Sequence, residues 1–432
     1  MTQTPRAVVA GGGLAGLVAA RHLAGAGLDV TLLERSENVG GRVWTQEHRG
    51  FRFDRGFQVL FPSYPAVQRE LDLERLDLRR FAPGACLARP GHRSTLSDPI
   101  RDPQALLETL SNTDVSMGDK LRVARLAVEL ARFDPETIFD RSEPDTSIEE
   151  FLRDRGFSDR FIHNFVAPFY GGITLDRSLS TSSRVFEYTF RTLLTSRAAV
   201  PATGMAAIPA QLAQHARDAG ASIRLETEVT DVSVEGTNGE SATVTSTESE
   251  YDADAVVVAT DPPAAQELTG VESIPTDARA CVTQYYELPA GTDLESRGKL
   301  LLNTADEGPN QIVPHSAVAP EYAPDGAELI SATYLGEREE SDAELETITR
   351  ETLESWYPDR RFDALKTRRT DRIEFAQFAQ PPGFRDRLPD PRDPDGPVYL
   401  AGDYTQWSSI QGAMKSGRLA AKAAVDDLCS TR

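Results

Sequence analysis

The chain has 432 residues with 67 acids against 46 bases, a formal charge of −21, and only five of its bases are lysine. Without a basic stripe it has no surface to meet a phosphate backbone, which excludes nucleic acid as a partner. Three cysteines far apart (Cys86, Cys281, Cys429) exclude a disulfide framework, and six scattered histidines with no C-x-x-C leave no metal-ligand spacing.

Taken in chain order, Arg6 to Ala10 is a short apolar strand, and Gly11, Gly13 and Gly16 follow with G-x-G-x-x-G spacing. A helix is predicted over Leu14 to Ala26, so the glycines lie between a strand and a helix. In that context Gly11 permits the tight turn, Gly13 lets backbone approach a pyrophosphate, and Gly16 allows helix to pack on strand. The helix start at Leu14 and Ala15 offers unpaired N–H groups to the anion. Asp29 to Glu34 is the second strand. Glu34 stands 23 positions after Gly11, where an acid takes ribose hydroxyls and repels a 2′-phosphate, which disfavours NADP. Arg35 follows it, and Gly40, Gly41 and Arg42 come next. Two glycines expose amides there, and Arg42 adds a bidentate cation suited to a second phosphate or a ribityl chain, favouring FAD over NAD.

The segment from Gly50 to Phe57 (GFRFDRGF) reads, taken alone, as a hairpin with turn glycines. Gly118 to Phe133 has a helical apolar stripe with Arg122, Arg125 and Arg132 elsewhere on its surface. A half-buried helix is favoured over one resting on a membrane, because Glu129 and the acidic balance of the chain weaken attraction to anionic lipid. Ser147 to Glu150 has capping-box spacing and predicts a helix ending near Gly156. Asn164 to Leu175 is aromatic and glycine-containing, with Phe165, Phe169 and Tyr170 as passage-lining or core residues. Tyr251 to Pro262 holds a buried strand ending at Ala259. Pro389 to Pro397 reads as a loop, Val398 to Asp403 as a strand closing on Gly402 and Asp403, and Ser409 to Ala424 as a final helix.

These pieces together resemble the flavin-containing amine oxidase superfamily, which includes phytoene desaturases and protoporphyrinogen oxidases. The resemblance rests on the glycine motif, on GGR at 40–42 with its continuation through Gly56, and on AGD at 401–403 before the last helix. It implies an α/β fold: a Rossmann-type FAD-binding domain from residues 1–85, 203–270 and 385–432, with an inserted α+β substrate domain from 86–202 and 271–384. The implied FAD contacts are Gly11, Gly13, Leu14, Ala15, Gly16, Glu34, Arg35, Gly40, Gly41, Arg42, Val229, Ala259, Gly402, Asp403, Gln411, Gly412 and Ala413. The helix start at Gln411 to Ala413 would aim its positive end at the pyrimidine edge of the flavin. Tyr170 and Trp407 are assigned to the substrate side, and no residue is assigned a catalytic role.

Amine oxidases of this superfamily usually carry a lysine near flavin N5 and an aromatic pair about the amine. Asp277 to Leu288 (DARACVTQYYEL) holds no lysine, Lys299 lies outside it, and Ser408, Ser409 and Ile410 stand where a cage tyrosine is expected. The expected chemistry is therefore two-electron oxidation or desaturation of a hydrophobic, carotenoid- or porphyrinogen-like substrate by hydride transfer to flavin N5, with oxygen or a quinone as acceptor. Amine oxidation and a non-redox, flavin-dependent isomerisation are the alternative classes. No apolar run approaches the roughly 20 residues of a membrane span, and a first strand at Arg6 leaves no room for a secretory signal. A cytoplasmic location is expected, with peripheral membrane contact and oligomeric state open. The carboxylate excess with so few lysines further suggests a high-salt cytoplasm, where screening over a few ångströms relieves self-repulsion.

Overall fold

The computed structural model describes residues 4–97, 109, 112–235, 241–305 and 307–430. Its cofactor-side frame is a five-stranded parallel sheet in the order Val398–Leu400, Ala255–Val258, Arg6–Ala10, Asp29–Leu33 and Ser222–Arg224. The central strands are runs of Val, Ala and Leu because the sheet is covered on both sides, by packed helices and by a second sheet whose Ala242, Val244 and Ala253 join the same core, leaving no solvent side on which a polar residue could alternate. All four residues of Ala255–Val258 are buried. Helix Leu14–Gly25 packs against both the final helix Ile410–Ser430 and helix Ala207–Asp218. Small residues set that first contact: a Cβ at Gly417 would stand 2.1 Å from the Ala15 carbonyl oxygen. A three-stranded antiparallel sheet, Val229–Glu235, Ser241–Ser246 and Glu250–Ala253, lies beside this frame.

A seven-stranded sheet draws on two separated stretches of the chain, in the order Lys366–Phe378, Ala278–Pro289, Ala327–Leu335, Gln311–Pro314, Leu300–Asn303, Ala85–Arg89 and His92–Leu96. It is antiparallel except where Leu300–Asn303 runs beside Ala85–Arg89. Helix Asp342–Trp356 opens on a capping box made by Ser341 and Glu344, and buries Leu345, Leu353 and Trp356.

Helices from 117 to 193 complete the substrate-side body. Ser147 and Glu150 form the expected capping box, and helix Ile148–Asp154 stops two residues before Gly156, whose φ is +76°. The aromatic stretch expected around 164–175 is a π-helical turn, Ile162–Val166, continuing into helix Ala167–Thr174. Phe161, Phe165 and Phe169 recur every fourth residue and stack at 5.6 and 5.4 Å between ring centroids. Helix Met117–Leu130 is half-buried as expected, through Leu126 and Leu130, yet Met117, Leu121 and Val128 of its apolar stripe stay exposed. No helix among the described residues is long and apolar enough to cross a membrane.

Candidate active site

The glycine motif sits at the end of the first strand, and each glycine has a different steric reason. Gly11 has φ +103°, and a Cβ there would lie 2.7 Å from the Ala259 carbonyl oxygen. At Gly16 a Cβ would stand only 2.0 Å from the Gly11 carbonyl oxygen. Gly13 differs, since a Cβ there meets nothing within 4 Å. Its function is to leave space. Gly13 also caps the helix without a side chain and no acid occupies the first turn, so the N–H groups at the helix start keep their affinity for an anion. Gly40 donates its N–H to the Gly12 carbonyl at 2.9 Å and pairs with Gly13 in an isolated bridge. Gly41 meets only the Gly13 Cα, at 3.5 Å. The two glycine pairs thus form one open cradle.

Glu34 is buried, and its two carboxylate oxygens accept the Gly12 N–H at 2.7 Å and the Ser36 N–H at 2.9 Å. These bonds hold the acid at the strand end beside the cradle, with remaining lone pairs for hydroxyl donors. Arg35 points away, 60% exposed, toward Asp261 and Glu228. Val229 is half-buried at the start of its strand.

Arg42 is engaged across the molecule. It donates to the Asp403 carboxylate at 2.6 Å and to the Ala376 carbonyl at 3.3 Å. Burial pulls its pKa down, but the charge and hydrogen bond of Asp403 outweigh that and raise it overall. Asp403 follows Gly402, is itself buried, and accepts the Ser408 hydroxyl at 3.0 Å. At the start of the final helix the Gln411 side-chain oxygen accepts the Ala66 N–H at 2.8 Å, which ties the helix to Pro65–Glu70. A Cβ at Gly412 would meet the Trp407 carbonyl oxygen at 2.0 Å, and Ala413 is half-buried beside it.

The predicted hairpin forms as Thr45–His48 and Phe51–Asp54, with Arg49 and Gly50 at positive φ in its turn. It delivers Asp54 into the interior. Burial pushes the Asp54 carboxyl up, while the Thr45 hydroxyl, the Met205 N–H and the Tyr322 hydroxyl donate to it and oppose the shift. Tyr285 donates to the carbonyls of Asp54 and Gly56 at 2.8 and 3.1 Å, and Gln58 donates to those of Arg42 and Arg55. This network, for which the sequence assigned no role, fixes the turn through Gly56 relative to Arg42.

Trp407 is buried in an aromatic wall. Its ring lies 5.0 Å from Tyr188, 5.6 Å from Phe139 and 6.1 Å from Tyr64. Tyr170 packs on Phe186 at 4.7 Å, on the side of helix Ser183–Leu193 opposite Tyr188, and so lies outside this wall. Tyr64, Phe139 and Tyr188 escaped sequence reasoning because only packing brings them to Trp407. The one visible signal, the aromatic content of helix 183–193, bears on Tyr188 alone. Strand Ala278–Pro289 carries no lysine. Lys299 lines a separate cavity of about 430 Å³ together with Cys86, His92, Arg93 and Tyr357.

Residues 14–425 match the family of flavin-containing amine oxidoreductases. The chain belongs to that family. Membership carries FAD as cofactor and places the chain among flavin-dependent oxidoreductases, and the cradle fits the group. Open space over Gly13 and Gly41, an uncapped helix start and a buried acid at the second strand are what a dinucleotide requires. Among relatives, a phytoene dehydrogenase from Streptomyces griseus is 34% identical over 294 residues, which is 61% of this chain and 55% of that protein. A carotenoid 3,4-desaturase from Haloarcula japonica is 46% identical over 79 residues, 16% of each chain. The match thus spans about half the length of the first relative and less of the second. An oxidoreductase structure from Methanosarcina mazei shares the fold with a TM-score of 0.72, at 18% identity over 98% of this chain and all of that one.

Proposed function

We propose that this protein oxidises an apolar polyene or a cyclic, porphyrinogen-like substrate by removing two electrons from C–H bonds, with oxygen or a quinone as final acceptor. The observation that carries the reading is the aromatic wall around Trp407, combined with a strand Ala278–Pro289 that bears no lysine. Such a wall orients a hydrocarbon and excludes water, which is what C–H oxidation asks of a protein. The printed activities of the Streptomyces and Haloarcula relatives support it. When bound, FAD supplies the two-electron acceptor at its N5.

The chain's own residues hold and orient. The amides at Leu14 and Ala15, with Gly11, Gly13, Gly16, Gly40 and Gly41, take the pyrophosphate, and Glu34 takes a ribose. Arg42 and Asp403 brace the ribityl side, while the helix start at Gln411, Gly412 and Ala413 favours negative charge on the pyrimidine edge. Val229, Ala259 and Gly402 complete the set, while the Arg35 side chain, turned to Asp261 and Glu228, is left out of it. We assign residues 1–85, 203–270 and 385–432 to the cofactor domain and the two insertions to the substrate domain. Cytoplasmic work in high salt, with peripheral access to membrane-dissolved substrate, accords with the composition.

The test begins with protein purified in high salt, its chromophore released and identified, then mixed anaerobically with a linear polyene in detergent and with a panel of primary amines. The expected result is one FAD per chain, bleached by the polyene and indifferent to amines. Bleaching and peroxide release with amines alone would replace this reading by amine oxidation. Polyene isomerisation that needs external reductant and shows no net electron transfer would replace it by an isomerase.

A further inference from the structure

Residues three and four apart share one face of an α-helix. By that spacing helix Met117–Leu130 is apolar on two opposite faces. Leu126 and Leu130 are buried in the cluster that holds Phe151 and Phe186. Met117, Leu121, Ala124 and Val128 keep the same spacing on the far side and are all exposed. Met117, Leu121 and Val128 are 54, 66 and 59% exposed, and Val234 is the one other large apolar side chain left exposed among the described residues. Solvent-facing apolar surface is therefore concentrated on a single helix.

The chain as a whole carries −21, yet the charge presented with this stripe is positive. Arg122 and Arg125 on the helix, and Arg132 just past its end, are exposed. Both acids of the helix are withdrawn. Asp119 is fully buried and accepts the Ser116 and Ser158 hydroxyls, and Glu129 pairs with Arg155 at 3.3 Å. The next acids, Asp134 and Glu136, begin only beyond the helix. The reservation that the sequence raised, that Glu129 and the acidic balance weaken attraction to anionic lipid, thus does not hold at this face.

The charge decides among occupants. A second copy of the chain would set these arginines against their own counterparts, which repels. A partner protein binds through anchors seated in recesses, whereas a helix ridge is convex. An anionic bilayer supplies both complements, headgroup charge for the arginines and acyl chains for the stripe. The place in the fold agrees. The helix packs on Ser183–Leu193, which carries Tyr188, and the chain runs from Leu130 directly into the turn Pro135–Asp140, which carries Phe139. Both residues belong to the wall around Trp407.

We propose that the outer face of helix Met117–Leu130 is the surface by which the protein lies on an anionic lipid bilayer. Met117, Leu121 and Val128 enter the acyl boundary, and Arg122, Arg125 and Arg132 meet the headgroups. The helix lies in the interface plane, since no helix among the described residues can span a membrane. This rests on the reading of a membrane-dissolved apolar substrate and names the surface that reaches it. High salt shortens the pull of the arginines to a few ångströms, a gap that insertion of the apolar stripe closes.

The experiment floats the FAD-loaded full chain with phosphatidylglycerol or phosphatidylcholine vesicles, at the lowest salt that preserves flavin content and Tm. The fraction bound should be at least about tenfold higher on phosphatidylglycerol. L121S/V128S, which removes apolar surface without adding charge, and R125Q/R132Q should each cut that binding at least about tenfold, at roughly fivefold per arginine. V234S should change nothing. All these side chains are exposed, so flavin content and Tm should stay at the wild-type level. Polyene dissolved in phosphatidylglycerol vesicles should bleach the flavin of L121S/V128S at least about tenfold more slowly than that of wild type, with equal rates when it is offered in detergent. Equal binding to both lipids, no binding to either, or binding that survives both double variants overturns the proposal. A wild-type dimer that L121S/V128S dissolves on size-exclusion chromatography assigns the face to a second copy and also overturns it. Failure of the polyene to bleach wild type in detergent removes the substrate reading alone, because flotation tests the surface without substrate.

Discussion

The glycine cradle and the aromatic wall come from opposite kinds of construction. In the cradle the polar side chains are held in place by partners: Glu34 holds two backbone N–H groups, Arg42 and Asp403 hold each other, and Gln411 ties the final helix to Ala66. In the wall, rings pack at 5.0 to 6.1 Å around Trp407, and the buried Tyr188 hydroxyl has no partner among the described residues. Polar pairing is directional and tolerates little displacement, whereas ring packing selects volume and shape. A cradle of the first kind suits one invariant ligand. A wall of the second kind suits a substrate whose polar content is slight.

The largest break in this comparison comes from one methyl group in the cradle. Gly16→Ala drives a Cβ to 2.0 Å from the Gly11 carbonyl, a collision with backbone that cannot rotate away. We expect loss of bound FAD and destabilisation of about 3 kcal/mol, read as a flavin-to-chain ratio near zero and a lowered Tm. A larger change in the wall, such as Trp407→Phe, should leave flavin content intact.

Acid distinguishes the regions next. His315 is buried between Phe57 and Tyr285, stacked on Tyr322 at 5.8 Å and bonded to Ser331 at 2.8 Å, and burial lowers its pKa to about 3. The folded state refuses a proton that the unfolded chain accepts near pH 6.5, so stability is full above that pH and falls as pH drops toward 3. The slope is about 1.4 kcal/mol per pH unit. Chemical denaturation from pH 7 to 4.5 should show it, and His315→Gln should flatten it. An unchanged slope in the variant would mean that His315 does not set acid stability.

The smallest effect sharpens the contrast. Glu34→Ala should weaken FAD binding by about 1.5 to 3 kcal/mol, the range for hydrogen bonds to a charged group, with little change in substrate half-saturation once the flavin is saturated. Titration of stripped protein with FAD checks the first part. An unchanged FAD affinity would mean that the ribose lies elsewhere.

Much of the cradle was legible because its information is local. Strand, glycine spacing, helix and acid lie within residues 6–34, and the capping box at Ser147 and Glu150 spans four residues. Arg42 was legible as a fixed cation, but not as the partner of Asp403, 361 positions away. The wall was legible only at Trp407, since Tyr170, assigned to the same side, packs instead on Phe169 and Phe186. Tyr64, Phe139 and Tyr188 read as ordinary core residues until packing joined them. Lys299, close in sequence to the strand searched for a catalytic lysine, belongs to another cavity, since the turn before strand Leu300–Asn303 carries it to the opposite stretch of the sheet.

The sequence by itself determined the dinucleotide turn, the parallel-sheet frame and the FAD-type family, because each follows from backbone conformation and short-range periodicity that a few consecutive residues impose. Only the tertiary structure decided that Arg42 is held by Asp403, that Asp54 is buried behind the turn, and that four aromatic residues from distant segments, Tyr64, Phe139, Tyr188 and Trp407, share one wall. Those features arise from burial and from pairings between residues hundreds of positions apart, and neither has a local signature.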